Sequence, residues 1–289
     1  MIKKLFYVLV LAQAVLYAAT GTDKTTPYRT YAALQYEYLD FSHSKQKEEG
    51  ERWTLHMKQR LAMHTVQAAL EKTRTQTVQP PLKEDLDVTK FYLRYTAALT
   101  PKHELYANYI TISDNLVPTD DGRIYGLGYG YRWSKNAAMT LYGYYSDYDI
   151  FDAYQFDAAL QLGRRFGAVN TAVQLIGKSI FIENCESGFC KNAQRSYFTP
   201  GVKLKAATMG YFVHAGAFFG KRVFAVMQDG LMVQHHAMEF SETYMGGVGK
   251  RWNGFELKLR YVYQKATELP FNNSGIVVQN GMLRVGYAF

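Results

Sequence analysis

The chain has 289 residues, a formal net charge of +8, 24 Tyr, 17 Phe and 23 Gly, but only 7 Pro. That balance suits a Tyr- and Gly-rich sheet and argues against a helical protein. The basic residues are spread along the chain and not run together, so the positive charge leaves no nucleic-acid footprint and no such partner is expected.

Residues 1–20 read as a secretory signal peptide. Lys3 and Lys4 form its charged start, Leu5–Ala18 its short apolar run, and small residues follow at Ala18, Ala19, Thr20 and Gly21. The run is too short and wrongly flanked for an anchor, and cleavage is expected within Ala18–Thr22. Beyond it, no apolar run reaches the roughly 18 residues that a spanning helix needs. The mean hydropathy of −0.24 suggests solubility, but that average loses its meaning if water-facing and lipid-facing residues alternate and cancel.

They do alternate. Strands are predicted near 30–41, 52–60, 64–76, 88–99, 104–113, 123–133, 137–147, 152–164, 168–179, 196–206, 209–226, 233–251, 255–264 and 276–289. In one of the clearest, Tyr125, Leu127, Tyr129, Tyr131 and Trp133 share a face opposite Gly126, Gly128, Gly130 and Arg132. Another sets Phe255, Leu257, Leu259, Tyr261 and Tyr263 against Glu256, Lys258, Arg260 and Gln264. Such segments match the length of a tilted strand crossing a bilayer, about 9–11 residues. Short turns (100–103, 134–136, 165–168, 206–208, 252–254) alternate with longer polar connections (42–51, 77–87, 114–122, 180–195, 265–275). That asymmetry is the one expected between a periplasmic and an outer rim. The predicted fold is therefore all-β: an antiparallel transmembrane β-barrel spanning 21–289 as a single domain. Fourteen strands are preferred. Reading Leu61–Lys72 as a helix in a long loop gives twelve.

Several smaller features fall in the connections. Cys185 and Cys190 share one predicted outer loop, and an exported chain folds where such a pair oxidises, so a disulfide is expected. Asp229–Gly230 between Val223–Met227 and Leu231–Val233 is a strong hairpin signal. The hairpin is expected to prolong two strands beyond the outer rim, and its apolar faces suggest that it packs on something, by folding over the mouth. His235 and His236 near Met227, Met232 and Met238 could hold copper, but adjacent strand residues point to opposite faces, and no metal or cofactor is expected. The acidic loops Asp114, Asp120, Asp121 and Asp147, Asp149, Asp152 read as solvated. Lys72 and Arg74 fall on the lipid phase, where they could reach lipid phosphates.

At the end of the chain, Leu283, Val285, Tyr287 and Phe289 share one face. This resembles the C-terminal assembly signal of outer-membrane barrel proteins, carried here by Val285, Tyr287 and Phe289. With its layout and size, the chain resembles the porin-like class, in particular the monomeric fourteen-stranded porins. The resemblance implies insertion by the barrel assembly machinery into the outer membrane of a Gram-negative bacterium, contact with lipid and lipopolysaccharide, and passive passage of small hydrophilic solutes. The absence of an obvious long constriction loop points to a monomer.

A barrel of this width is too wide for its own side chains to fill, so it holds water unless a loop plugs it. On the inward phase lie Lys58, Arg60, Arg94, Arg132, Lys178, Lys203, Lys205, Lys258, Arg260 and Arg284, against Glu37, Glu71, Asp157 and Glu256. Gly126, Gly128, Gly130, Gly210 and Gly216 are expected to widen the lumen. Charge on an inner wall is tolerable if the channel is wet, and basic rings favour anions. A weakly anion-selective porin is therefore expected. The alternatives are a closed structural or surface-interaction barrel, with Glu256, Lys258, Arg260 and Arg284 paired across strands, and a lipid-modifying enzyme. No Gly-x-Ser-x-Gly or His-Glu-x-x-His occurs, and of the histidines only His214 falls clearly inside a predicted strand. No catalytic residues are expected.

Overall fold

The structure, a computed structural model, describes residues 29–78, 83–115, 119–185, 192–234 and 236–289. The predicted signal segment, Cys190 and His235 lie outside the described residues. The strands are β1 (Arg29–Ser42), β2 (Lys47–Leu61), β3 (His64–Thr77), β4 (Leu86–Ala98), β5 (His103–Asp114), β6 (Arg123–Ser134), β7 (Ala137–Tyr148) and β8 (Phe151–Phe166). They continue with β9 (Val169–Glu183), β10 (Ser196–Thr208), β11 (Tyr211–Arg222), β12 (Val226–Met227), β13 (Met232–Val233), β14 (Met238–Trp252), β15 (Phe255–Glu268) and β16 (Asn273–Ala288).

All but β12 and β13 join in one closed barrel of fourteen antiparallel strands, each paired with its sequence neighbour. β1 and β16 complete the ring in register from Tyr31 opposite Ala288 to Ser42 opposite Val277. Closure leaves no unpaired edge, which a strand in hydrocarbon cannot tolerate. The stretch 42–87 holds two strands, not a helix: β2 and β3 pair from Lys47–Thr77 to Leu61–His64 around Ala62 and Met63.

Turn chemistry sets the terminus-side rim. Met209–Gly210 and Asn253–Gly254 have φ of 47°, 82°, 46° and 86°, the paired left-handed residues of a two-residue hairpin turn. Gly210 therefore belongs to a turn, not to the inner wall. On the loop-side rim the connections are more varied, and most are shorter than the sequence suggests. β2 starts at Lys47 and β15 runs to Glu268, so both strands extend into stretches expected to be loop.

Alternation assigns the faces. Leu127 is 72% exposed on the outside while its neighbours Gly126 and Gly128 face inward. Leu34, Leu55, Leu175, Leu204, Val248 and Leu259 are similarly exposed, an apolar band that bulk water would not support but lipid does. At the terminus-side rim, Trp252, Phe255, Tyr287 and Phe289 form a chain of ring contacts with centroids 6.0, 4.7 and 4.9 Å apart. Such girdles mark the level of lipid headgroups. Val285 joins this outward row, at 49% exposure.

Gly126, Gly128 and Gly130 do not widen the lumen. The rings of Tyr144, Tyr142 and Tyr106 lie over them, and a Cβ at Gly126 would stand 2.5 Å from Tyr144. These glycines let a tyrosine layer pack flat on β6. Because Leu127 faces lipid, Leu127→Arg is expected to destabilise the barrel by about 2–4 kcal/mol if it lies at the bilayer midplane, falling towards zero near the interface. Denaturant titration of the protein refolded in lipid vesicles, with Leu127→Ala as reference, measures this.

Candidate lumen site

The interior is divided into two halves by a segment the barrel strands do not contain. After β11 the chain does not prolong the wall, as the Asp-Gly signal led one to expect. A bulge falls between Phe219 and Arg222, and Gly220 (φ 81°) brings the backbone so close to Phe198 O that a Cβ would sit 2.6 Å from it. The chain then folds into the barrel, with Val223, Phe224, Ala225 and Val226 at most 1% exposed. β12 and β13 form a separate two-stranded ribbon inside the loop-side half. The segment does pack, as its apolar faces suggest, but within the lumen and not over the mouth.

Polar side chains from distant strands hold the ribbon by its backbone. The Val226 amide donates to Gln155 Oε1 at 2.8 Å, and Gln155 Nε2 and Lys178 Nζ donate to Val226 O at 2.7 and 3.0 Å. On the opposite edge, Lys90 Nζ reaches Val233 O at 3.4 Å. Apolar contacts finish the seal: Phe224 packs at a tilt against Phe151 with centroids 4.6 Å apart. Arg222, fully buried, donates from Nε to Gln234 Oε1 at 3.0 Å and lies over the rings of Phe218 and Phe240.

At the centre of the loop-side half most charges are paired, although the buried Arg222 has no ion pair to a described residue. Arg52 bridges Glu37 (3.0 Å) and Glu71 (3.4 Å), Lys90 binds Glu71 at 2.8 Å, and Arg260 binds Glu37 at 2.7 Å. Tyr92 also donates to Glu71. Lys178 pairs with Asp157, which accepts a further bond from Gln155. Burying these charges is tolerable because each meets opposite charge and several donors.

The terminus-side half differs. Lys58, Arg60, Lys205, Lys258 and Arg284 point inward with no ion pair to any described residue, and Lys58, Arg60 and Lys205 are exposed to solvent there. Lys258 and Arg284 are direct cross-strand neighbours, and Lys258 feels the repulsion of Arg260, Arg284 and Lys205. Lys203 rests over the Phe218 ring at 5.8 Å. Glu256 bonds Arg251 and Tyr31, not Lys258 or Arg284. Arg132 lies at the rim, 3.8 Å from Glu104. His214 faces this space, and so does His56, which lies within β2 although the sequence pattern singled out only His214; their Nε2 atoms have no partner.

Sequence periodicity did not single out Arg52, Lys90 or Arg222. Lys90 shares the phase of Arg94 and Arg52 that of Lys58, so both signals were present. Arg222 follows a bulge, which breaks the phase. Cys185 lies at the described edge of its loop, and no free thiol occurs among the described residues. No group of three or more His, Cys, Asp or Glu residues able to hold a metal occurs among the described residues. Lys72 and Arg74 lie exposed on the outer surface beside Asp87 and Asp85.

No family model and no curated protein matches the chain. Among solved structures, the chain is similar to the outer membrane protein Omp33 of Acinetobacter baumannii: 13% identity, TM-score 0.50, covering 91% of this chain and 98% of that one. It is also similar to a bacterial polysaccharide outer membrane secretin, at 8% identity and TM-score 0.55, covering 89% of this chain and 98% of that one. At these identities the likeness is one of fold alone, that of a closed β-barrel.

Glu71 holds two buried cations at once. Glu71→Gln leaves Arg52 and Lys90 undercompensated and is expected to destabilise the barrel by about 3–5 kcal/mol, the usual consequence of removing one member of a buried pair. The temperature at which the folded band is lost on unboiled denaturing gels should fall well below that of the wild type.

Proposed function

We propose that the protein is an outer-membrane channel for small hydrophilic solutes with a preference for anions, closed in this conformation by the 223–234 segment. One observation carries the reading: Lys58, Arg60, Lys205, Lys258 and Arg284 face the terminus-side half with no ion pair to any described residue, and the first three are exposed there, where water or a visiting anion would compensate them. The outer-membrane setting of Omp33 and of the polysaccharide secretin supports a Gram-negative outer membrane, with the terminus-side rim towards the periplasm. In this reading Lys58, Arg94, Arg132, Lys203, Lys258, Arg260 and Arg284, with Glu37, Glu71, Asp157 and Glu256, line the path. Val285, Tyr287 and Phe289 serve assembly, residues 1–20 direct export, Cys185–Cys190 staples an outer loop, and the barrel works as a monomer.

A second reading has its own support. The loop-side half is sealed by buried side chains, as a purely structural barrel would be. Conductance separates the two. In a KCl gradient across a planar bilayer, the channel reading expects a reversal potential on the anion side, and Lys258→Glu with Arg284→Glu should move it towards cations. Replacing residues 225–233 with two glycines should raise the conductance severalfold. No current from that shortened chain would leave the structural barrel standing, and cation preference in the wild type would refute the charge argument.

A further inference from the structure

The tip of the inward hairpin puts a carboxylate where a solute's would sit. Asp229 Oδ2 lies 3.9 Å from Arg94 Nη1, with the Asp229 side chain 48% exposed and that of Arg94 only 13%. Arg94 is held from behind: its Nη2 donates to Tyr142 at 2.8 Å, and its guanidinium lies 4.8 Å over the Tyr106 ring. Its Nε has no partner. Directly opposite on β5 stands Asn108, 6% exposed, with neither amide atom partnered. Gly230 covers that amide; a Cβ there would be 2.5 Å from Asn108 Oδ1.

The hold on the tip is loose. The ion pair is long, half-hydrated and without a hydrogen bond, and Gln228, Asp229 and Gly230 take φ of 51°, 57° and 89° in succession. Non-glycine residues reach that region only against steric resistance, and such strain persists where surroundings enforce it. The donors behind the tip are rigid while the anion in front of them is tethered, strained and open to a basic chamber.

We infer that Arg94 and Asn108 form a carboxylate-binding site at the constriction, and that Asp229 fills it as a tethered substitute until a carboxylate-bearing solute takes its place. This rests on the lumen being a conduction path. Exchange replaces one ion pair with another. Arg94 Nη1 and Nε and the Asn108 amide nitrogen supply donors, and the released tip loosens the ribbon.

The test uses the full-length protein in planar bilayers, with chloride replaced by acetate on the periplasmic side at constant ionic strength. Acetate should raise the open fraction of the wild type in a saturable way. Asp229→Asn should be open about two- to five-fold more often in chloride alone, the range expected for a partly exposed ion pair, and should gain nothing from acetate. Arg94→Gln should likewise lose the acetate response. An Asp229→Asn channel with wild-type opening and a full acetate response overturns the inference. The chain with 225–233 replaced by two glycines keeps the failures apart. If it conducts while Asp229→Asn behaves as wild type, only the site is refuted. If even it passes no current, the conduction path falls and the site with it. Heat-modifiable gel migration confirms that each variant is folded.

Discussion

A peptide group inside hydrocarbon has no water to bond, so each strand that crosses must find partners on both sides. Closure of β1 on β16 meets that demand for all fourteen strands at once. Everything else follows from the closed ring. Its circumference fixes an interior wider than its own side chains can fill, and its two-residue period sends alternate residues outward and inward. The outward set was bound to be greasy. The inward set was free to vary, and there the chain has placed its charges, its tyrosine layer and the hairpin.

The interior uses that freedom in two opposite ways. On the loop side, five strands contribute Glu37, Arg52, Glu71, Lys90 and Arg260, whose opposite charges pair beneath a buried hairpin. On the terminus side Lys58, Arg60 and Lys205 have no ion pair to a described residue and stay exposed. A dry environment would penalise the second set heavily, whereas water would weaken the first. The boundary between them lies at the ribbon, where Lys178 and Gln155 grip Val226 and where Arg94 meets Asp229. The ribbon is therefore a dielectric boundary as well as a steric one.

Much of this was legible in the sequence, for a local reason. Strand number, faces and the short turns depend on residues within about ten positions of each other, and Val66, Ala68 and Leu70 carried the period through the ambiguous stretch 61–72, most of which proved to be β3. The inward phases of Glu37, Glu71, Asp157, Lys258 and Arg284 followed from the same count. What misled was the inference from size to space. Gly126, Gly128 and Gly130 looked like room, but Tyr144, Tyr142 and Tyr106 come from neighbouring strands to fill it, and no local pattern shows that a ring will lie down on a glycine.

The hairpin shows the same limit more sharply. Asp229–Gly230 announced a reversal, and the apolar residues on either side announced that the reversal would be covered. Its direction was not announced, because the groups that draw it inward are remote. Gln155 is 71 residues from Val226, Lys178 is 48, and Lys90 is 143 from Val233. Each looks like an ordinary lumen polar residue in its own strand. Only after closure do they converge on the two edges of one ribbon, and only then does an apolar hairpin with an acidic tip have a place to go. A polar residue on an inner wall thus has two possible partners, the passing solute and the chain's own backbone. In this barrel the loop-side residues have taken the second and most of the terminus-side residues remain available for the first.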